Sequence, residues 1–193
     1  KHGLPEDAAV IFVPRRLTKK NGVIYPAIAL PHVLEKYPNA MLIYAGMGEA
    51  YDELKSLIEQ QGLSEKAKLL GAIPHETMTE YYALSDIVLV PSVHSAGVEE
   101  ATSISALEAM GSGSPLIASA VGGLKEIVNH RQDGLLVEEK NVDELAQAII
   151  ELLDHPEFGQ QLAQAARRKI EDEYSHLSAA KKYEDIYRAA LAQ

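Results

Sequence analysis

Two glutamates eight positions apart, Glu100 and Glu108, flank a predicted helix start. Glu100 precedes that start, Glu108 lies inside the helix, and hydroxyl residues that can cap the helix stand between them: Thr102, Ser103 and Ser105. The orphan N–H groups of a helix start act with the helix dipole to attract phosphate. Along a fully helical axis the carboxylates would be roughly 12 Å apart. They could therefore bind hydroxyls of a sugar or ribose at two ends of an extended ligand with a central phosphate.

A basic loop follows the first strand-like run of the chain. It reads Pro14-Arg-Arg-Leu-Thr-Lys-Lys-Asn-Gly22 and places four cations within six residues, Arg15, Arg16, Lys19 and Lys20. The loop after the first strand of a doubly wound fold is a common phosphate contact. Arginine can bind a phosphate through two parallel N–H bonds, and lysine acts as a point charge. The loop predicts an anion site, with a solvated basic loop as the alternative.

The other strand ends carry weaker signals. Gly48 is a candidate for close backbone approach to a ligand, whereas Gly46 is more simply a tight turn. The stretch that begins at Gly71 could accommodate a flat base or only form a turn. His94 could act as an acid or base, but no Ser-His-Asp order or zinc spacing supports that role. A surface histidine is the alternative.

Six short β-rich runs alternate with helical patterns. The runs are Ala9–Val13, Ala40–Ala45, Ala67–Leu70, Ile87–Val90, Leu116–Ser119 and Gly134–Val137. Most are continuously apolar, which is typical of parallel strands covered on both faces. The alternation predicts an α/β fold, a Rossmann-like doubly wound parallel six-stranded sheet with helices on both faces and extra C-terminal helices. A ligand would bind outside the carboxyl ends of the strands.

Helical patterns lie between and after these runs. They cover Val23–Tyr37, Tyr51–Gln61, Thr79–Leu84, Ser103–Met110, Leu124–Asn129, Glu144–Leu153, Glu157–Tyr174 and Leu177–Leu191. Asn141 and Glu144 form a start that resembles a capping box. Pro26 fits the first turn of its helix, but Pro31 is expected to kink or break that helix.

Composition limits the function further. The chain has 193 residues, 47% of them apolar, which suits one domain spanning residues 1–193, with residues 1–7 as a linker remnant. A formal net charge of −10 argues against general nucleic-acid binding. The absence of cysteine excludes disulfides and fits a cytoplasmic location. No apolar run reaches the ~20 residues of a membrane helix, and peripheral membrane association of a full-length protein stays open.

These motifs together resemble the C-terminal, nucleotide-sugar-binding half of retaining GT-B glycosyltransferases of the glycosyl transferase group 1 type. The most specific match is the pair Glu100 and Glu108 with Leu-Glu-Ala-Met in register. Further matches occur in the same order along the chain, at Arg16-Leu17, Gly46-Met-Gly48, Leu70-Gly71, Ser85-Asp86 before Pro91-Ser92, and Gly122-Gly123-Leu-Lys-Glu126.

The resemblance implies a role for each motif. Glu100 would lie near the donor sugar, and backbone amides around Ser103 and Ile104 would bind the diphosphate of a UDP- or GDP-sugar. Glu108 would bind the ribose hydroxyls, and the Gly71–Ile73 edge would flank the base. Arg16 would neutralise the leaving diphosphate. Gly48, Lys20 and Asn21 would also contact the donor near its phosphates. No metal or other cofactor is expected. The resemblance also implies that the sugar is transferred to a glycan, lipid or small-molecule acceptor with retention of configuration.

The departures from the family pattern matter for this site. Family members usually have a lysine where this chain has Asn21, so either Lys20 substitutes or the diphosphate is held more weakly. The motif that begins at Glu100 reads Glu-Ala-Thr-Ser, where Glu-Gly-Phe-Gly is commoner in the family. The acceptor-binding N-terminal domain is absent from this chain, so the isolated domain is expected to be inactive. The final helix could then leave an apolar face exposed and promote self-association.

Two other functions remain alternatives. One is a sugar-nucleotide epimerase or hydrolase of the same fold. The other is a non-enzymatic flavodoxin-like regulatory module. A receiver domain, which would be a regulatory module of this type, needs an acidic cluster after its first strand. This chain has Arg15 and Arg16 there.

Overall fold

The computed structural model describes residues 3–95 and 102–191. Its centre is a sheet of six parallel strands in the order β3-β2-β1-β4-β5-β6. The strands are β1 Val10–Val13, β2 Met41–Tyr44, β3 Ala67–Leu69, β4 Ile87–Val90, β5 Leu116–Ser119 and β6 Leu135–Val137. Each lies within its predicted run, and the doubly wound prediction is confirmed. The order differs from the flavodoxin-like order 2-1-3-4-5, which argues against the flavodoxin-like alternative.

The apolar runs form buried strands because helices cover both faces of the sheet. All four residues of β1 are buried, and they alternate between two core clusters. Ile11 and Val13 face a layer with the helices of residues 24–36, 51–60 and 142–154, whereas Val10 and Phe12 face the layer on the opposite side. Continuous apolar sequence in these strands is thus the consequence of two-sided burial.

The helices follow the predicted alternation. They are α1 Ile24–Lys36, α2 Tyr51–Gln60, α3 His75–Leu84, α4 Ile104–Ser112, α5 Leu124–Ile127, α6 Val142–Asp154, α7 Pro156–Lys169 and α8 His176–Leu191. The Asn141 side chain accepts a hydrogen bond from the Glu144 amide at 3.1 Å, as expected of the cap of α6. The extra C-terminal helices are confirmed, although a π-helical segment, Ile170–Tyr174, separates α7 from α8.

Two helix predictions differ from the structure in detail. Pro31 was expected to kink or break α1, but it does not break the helix, which continues to Lys36. Proline in a helix interior costs about 3 kcal/mol, but Leu30 and Val33 on either side are fully buried, and this packing outweighs the lost hydrogen bond. The third helix begins at His75, four residues before the predicted start, directly after Pro74.

Strand order sets the position of a ligand cleft. β1 pairs with β2 on one side and with β4 on the other, so the chain reverses its winding direction between β1 and β4. The carboxyl ends of these neighbouring strands open into the crevice where doubly wound folds bind ligands.

None of the helices in the described ranges is both long enough and apolar enough to cross a bilayer.

Candidate functional site

A cleft of about 870 Å³ opens at the carboxyl ends of β1 and β4. The β1–α1 loop forms one wall and the start of α4 forms the other. Its lining residues are Arg15, Arg16, Thr18, Lys19, Lys20, Asn21, Glu49, Ser95, Thr102, Ile104 and Ser105. The cleft therefore unites four predicted site residues, Arg16, Lys20, Asn21 and Ile104.

The start of α4 is fixed against the end of β1. Ser103 is the N-cap residue, and its buried hydroxyl accepts a hydrogen bond from the Ala106 amide at 3.3 Å. Ser105 donates to the Pro14 carbonyl at 2.6 Å. Ile104, between them, is 69% exposed at the mouth of the cleft. The first-turn amides of α4 are thereby held beside the basic loop, where such amides can bind an anion.

Arg15 lies beneath the cleft and is only 7% exposed. Its guanidinium donates to Ser103 Oγ at 2.8 Å, to Asn21 Oδ1 at 2.8 Å and to Ser92 Oγ at 2.9 Å. One side chain thus joins the β1–α1 loop, the end of β4 and the cap of α4. The sequence analysis assigned the contact with the diphosphate to the neighbouring residue, Arg16. No local signal distinguishes the two arginines, because β1 is buried on both of its faces and only the fold sets which arginine is buried.

The rest of the basic loop divides into an exposed rim and a buried support. Arg16, Lys19 and Lys20 are exposed along the cleft. Asn21 is buried, and its amide nitrogen donates to the Arg16 carbonyl at 2.7 Å while its oxygen accepts from Arg15. Asn21 therefore stabilises the loop from inside and supplies no charge. Its predicted ligand contact, like that of Lys20, stays a prediction.

Thr18 adds a hydroxyl group that sequence reasoning did not single out. The residue lines the cleft and is 8% exposed. Within the described part of the chain, its buried Oγ1 has no hydrogen-bond partner. Leaving a buried hydroxyl unsatisfied costs about 1–3 kcal/mol. The unsatisfied group lies beside a basic rim and a helix start, which is consistent with an anionic ligand completing this site.

Gly48 supports the cleft wall by letting two loops meet. A Cβ atom at Gly48 would lie 2.2 Å from the Leu17 carbonyl oxygen. The loops are joined by hydrogen bonds from the Leu17 amide to the Met47 carbonyl at 3.1 Å and from the Ala50 amide to the Leu17 carbonyl at 2.8 Å. Close approach within the chain therefore requires this glycine. Its predicted contact with a ligand stays a prediction.

The predicted ribose carboxylate contacts the start of α3, which follows the predicted base edge in the chain. Gly71 has φ +72° at the end of β3, and its carbonyl accepts from the Gly46 amide at 2.8 Å. Ile73 is half-buried against the core. Glu108, one turn after Ile104 on α4, approaches His75 with 3.8 Å between Oε1 and Nδ1. Glu108 is not among the residues that line the 870 Å³ cleft and instead faces the start of α3.

A carboxylate pins the segment that follows β4. Glu139 accepts from the His94 amide at 2.7 Å and contacts the His94 ring Nδ1 at 2.8 Å. Burial raises the pKa of Glu139, but the hydrogen bonds from His94 and the charge of Lys140 outweigh it and hold the pKa below its usual value. Sequence reasoning missed Glu139, because a pair separated by 45 positions leaves no local signal.

The predicted catalytic residue Glu100 lies outside the described residues.

Comparisons with known proteins agree with this geometry. The family model for glycosyl transferases group 1 matches residues 1–169. An uncharacterized glycosyltransferase of Methanocaldococcus jannaschii is 34% identical over 189 residues, which cover 98% of this chain and 47% of that protein. A GDP-mannose-dependent monoacylated alpha-(1-6)-phosphatidylinositol monomannoside mannosyltransferase of Corynebacterium glutamicum is 33% identical over 177 residues, or 91% of this chain and 46% of that protein.

A solved structure shows the same fold. The Anabaena protein HepE in complex with UDP-glucose has a TM-score of 0.80 at 22% identity, over 95% of this chain and 49% of that one. The chain spans about half the length of the curated relatives that it matches. The predicted resemblance to GT-B glycosyltransferases is confirmed by the family match and by the fold. The chain belongs to the glycosyl transferases group 1 family.

Proposed function

We propose that this chain binds the nucleoside-diphosphate sugar donor of a glycosyltransferase. The observation that carries the proposal is the single cleft that joins Arg16 to the first turn of α4. The chain has a formal net charge of −10, yet among the residues that the structure describes four cations and one carboxylate, Glu49, line this cleft. Such a local excess of positive charge beside helix N–H groups favours a diphosphate.

The phosphates are bound by the two walls together. Arg16 neutralises the leaving diphosphate, and Lys20 supplies the second charge that Asn21 lacks. The amides around Ser103 and Ile104 donate from the other wall. These groups stabilise the negative charge that develops on the leaving group, which lowers the barrier more than ground-state binding alone. The same charges make a divalent metal unnecessary.

The nucleoside lies beyond the diphosphate, toward α3. Glu108 accepts hydrogen bonds from the ribose hydroxyls, and the Gly71–Ile73 edge flanks the base. The proximity of Glu108 to His75 supports this arrangement, because His75 follows that edge by two residues. Glu100 is assigned to the sugar by the family motif alone. A GDP-mannose-dependent relative and a UDP-glucose-bound structure support both UDP and GDP as candidate nucleotides.

Transfer itself is a property of the longer protein. We propose that the acceptor, a glycan, lipid or small molecule, binds a second domain and receives the sugar with retention of configuration. The chain alone then binds the donor without transferring the sugar. We also propose a cytoplasmic location and self-association of the isolated chain through α8.

Calorimetric titration of the chain with UDP and GDP tests the proposed binding. Binding of either nucleotide that survives an excess of EDTA is the expected result. A folded chain that binds neither nucleotide would overturn the proposal, and binding that EDTA abolishes would overturn its metal-free part. A protein of different function on this fold, such as an epimerase or hydrolase, is distinguished by product analysis on the longer protein.

A further inference from the structure

Tyr82 connects the core of the sheet to Glu108. The residue lies on α3 and is 3% exposed. Its ring packs edge-on against Phe12 of β1, with 5.4 Å between ring centroids and 83° between planes. Its hydroxyl donates a hydrogen bond to Glu108 Oε2 at 2.9 Å. The donor is therefore rigid, because both its ring and its backbone are fixed by the core.

Glu108 needs such a support to hold one conformation. Its side chain is 30% exposed, and a glutamate with this exposure retains rotamer freedom that binding must remove. Tyr82 holds Oε2 from the core side. The other oxygen, Oε1, is 3.8 Å from His75 Nδ1, on the side of the β3–α3 loop. The carboxylate thus presents one oxygen to the chain and one toward the proposed nucleoside.

The phenol keeps its proton at every pH at which the protein would be used. Burial raises the pKa of Tyr82 well above its usual value, and the Glu108 charge and hydrogen bond raise it further. Ser105 and Arg15 act in the opposite direction without reversing the shift. Tyr82 therefore remains a donor to a carboxylate acceptor.

We propose that Tyr82 is a positioning residue for nucleoside recognition, because it fixes the Glu108 carboxylate for the ribose hydroxyls. The inference rests on the proposed function, which assigns Glu108 to the ribose. Tyr82 touches neither the phosphates nor the sugar in this assignment. Its loss should therefore weaken recognition of the ribose and leave recognition of the phosphates intact.

Tyr82→Phe tests the inference by calorimetry with three probes. The affinity for the nucleoside diphosphate that the wild type binds, UDP or GDP, should fall about tenfold, the loss expected when a charge-assisted hydrogen bond no longer orients the carboxylate. The affinity for inorganic pyrophosphate should not change. The corresponding 2′,3′-dideoxynucleoside diphosphate should bind wild type and variant equally, because it lacks the hydroxyls that Glu108 binds.

Tyr81→Phe is the matched control, because Tyr81 is adjacent on α3 and stacks on the same Phe12 ring at 5.7 Å. It should bind all three probes as the wild type does. Equal loss for nucleotide and pyrophosphate in Tyr82→Phe, or no loss at all, would overturn the positioning role. A wild type that binds no nucleoside diphosphate would overturn the proposed function instead.

A measurement without nucleotide keeps the contact testable if Tyr82→Phe fails to fold. Proton NMR of the buried Tyr82 hydroxyl should show a resonance that moves upfield in Glu108→Gln, because a neutral amide oxygen accepts a weaker hydrogen bond than a carboxylate. An unchanged resonance in Glu108→Gln would show that the two groups do not interact in solution and would overturn the inference.

Discussion

Asn21 and Arg15 are joined by a 2.8 Å hydrogen bond in which the guanidinium donates to the amide oxygen. Both residues are buried beneath the cleft. The positive charge at this depth therefore comes from Arg15, next to the position where the family commonly has a lysine. Asn21 thus supports the buried Arg15 side chain, whereas the exposed charge proposed to reach the phosphates is that of Lys20.

Asn21→Lys should destabilise the chain, although it restores the commoner family residue. It would bury an ammonium group beside the Arg15 guanidinium and remove the bond to the Arg16 carbonyl. Loss of a buried hydrogen bond with added charge repulsion costs about 2–4 kcal/mol. Urea unfolding followed by circular dichroism measures the change.

The losses of stability caused by Arg15→Ala and by Asn21→Lys should be less than additive in the double variant, since Arg15→Ala also removes the like charge that opposes the new lysine. Additive losses in the double variant would contradict the proposed competition between the two cations. Lys20→Ala serves as the control for charge removal on the exposed rim, and its free energy of unfolding should change by less than about 0.5 kcal/mol.

Arg16→Ala should weaken binding of UDP or GDP about 10- to 100-fold without changing stability, because the side chain is exposed and binds phosphate by charge-assisted bonds. The residual binding should depend less on salt concentration. Calorimetry at two ionic strengths measures both effects. Lys55→Ala, which removes an exposed cation on α2 outside the cleft lining, should leave the affinity unchanged. Equal effects of the two variants would mean that Arg16 acts only through net charge.

The sequence was sufficient to predict the sheet because its signal is local. Most strands are short, continuously apolar runs between helical patterns, as two-sided burial requires. Pro31 shows the limit of this reasoning, since local propensity favoured a break and the packing of Leu30 and Val33 overrode it.

The site was harder to predict because its connections are long-range. Adjacent arginines at positions 15 and 16 look equivalent in sequence, but only the fold buries one and exposes the other. The contacts of Tyr82 with Glu108 and of His94 with Glu139 span 26 and 45 positions. Residue types identified the cleft, whereas its support could be read only from the structure.

Gly48→Ala should destabilise the chain even in the absence of ligand. The added Cβ would lie 2.2 Å from the Leu17 carbonyl oxygen, so one of the two loops must move. Overpacking of this kind costs about 1–3 kcal/mol. Gly111→Ala on α4 is the matched control, because its Cβ would meet only Ile170 Cγ2 at 3.5 Å. The control should be neutral or stabilising, as alanine favours a helix by about 0.5–1 kcal/mol. Differential scanning calorimetry compares the two variants.

The exposed face of α8 should cause the isolated chain to associate. Its large apolar residues are more than half exposed: Leu177, Tyr183, Ile186, Tyr187 and Leu191. Sedimentation velocity should show a species of higher mass that grows with concentration. Ile186→Glu should keep the chain monomeric. Asp185→Ala should not, because the 3.6-residue period places Asp185 opposite the centre of the arc that the five apolar residues form. A wild type that stays monomeric at high concentration would contradict the predicted association through α8.

Glu139→Gln should reduce stability at neutral pH and lose that effect in acid. Its folded-state pKa lies below the usual value, because the bonds from His94 and the Lys140 charge outweigh burial. A carboxyl group of this kind stabilises the fold above its unfolded pKa of about 4.3. That contribution disappears as the pH falls through the lower, folded pKa.

The free energies of unfolding of wild type and Glu139→Gln should therefore differ at pH 7 and converge below about pH 4. Urea titrations across this range measure the difference. Glu65→Gln, an exposed loop carboxylate, should match the wild type throughout. A constant difference at all pH values would mean that Glu139 acts through packing. Convergence would instead show that its charge anchors His94, next to Ser95 in the cleft lining.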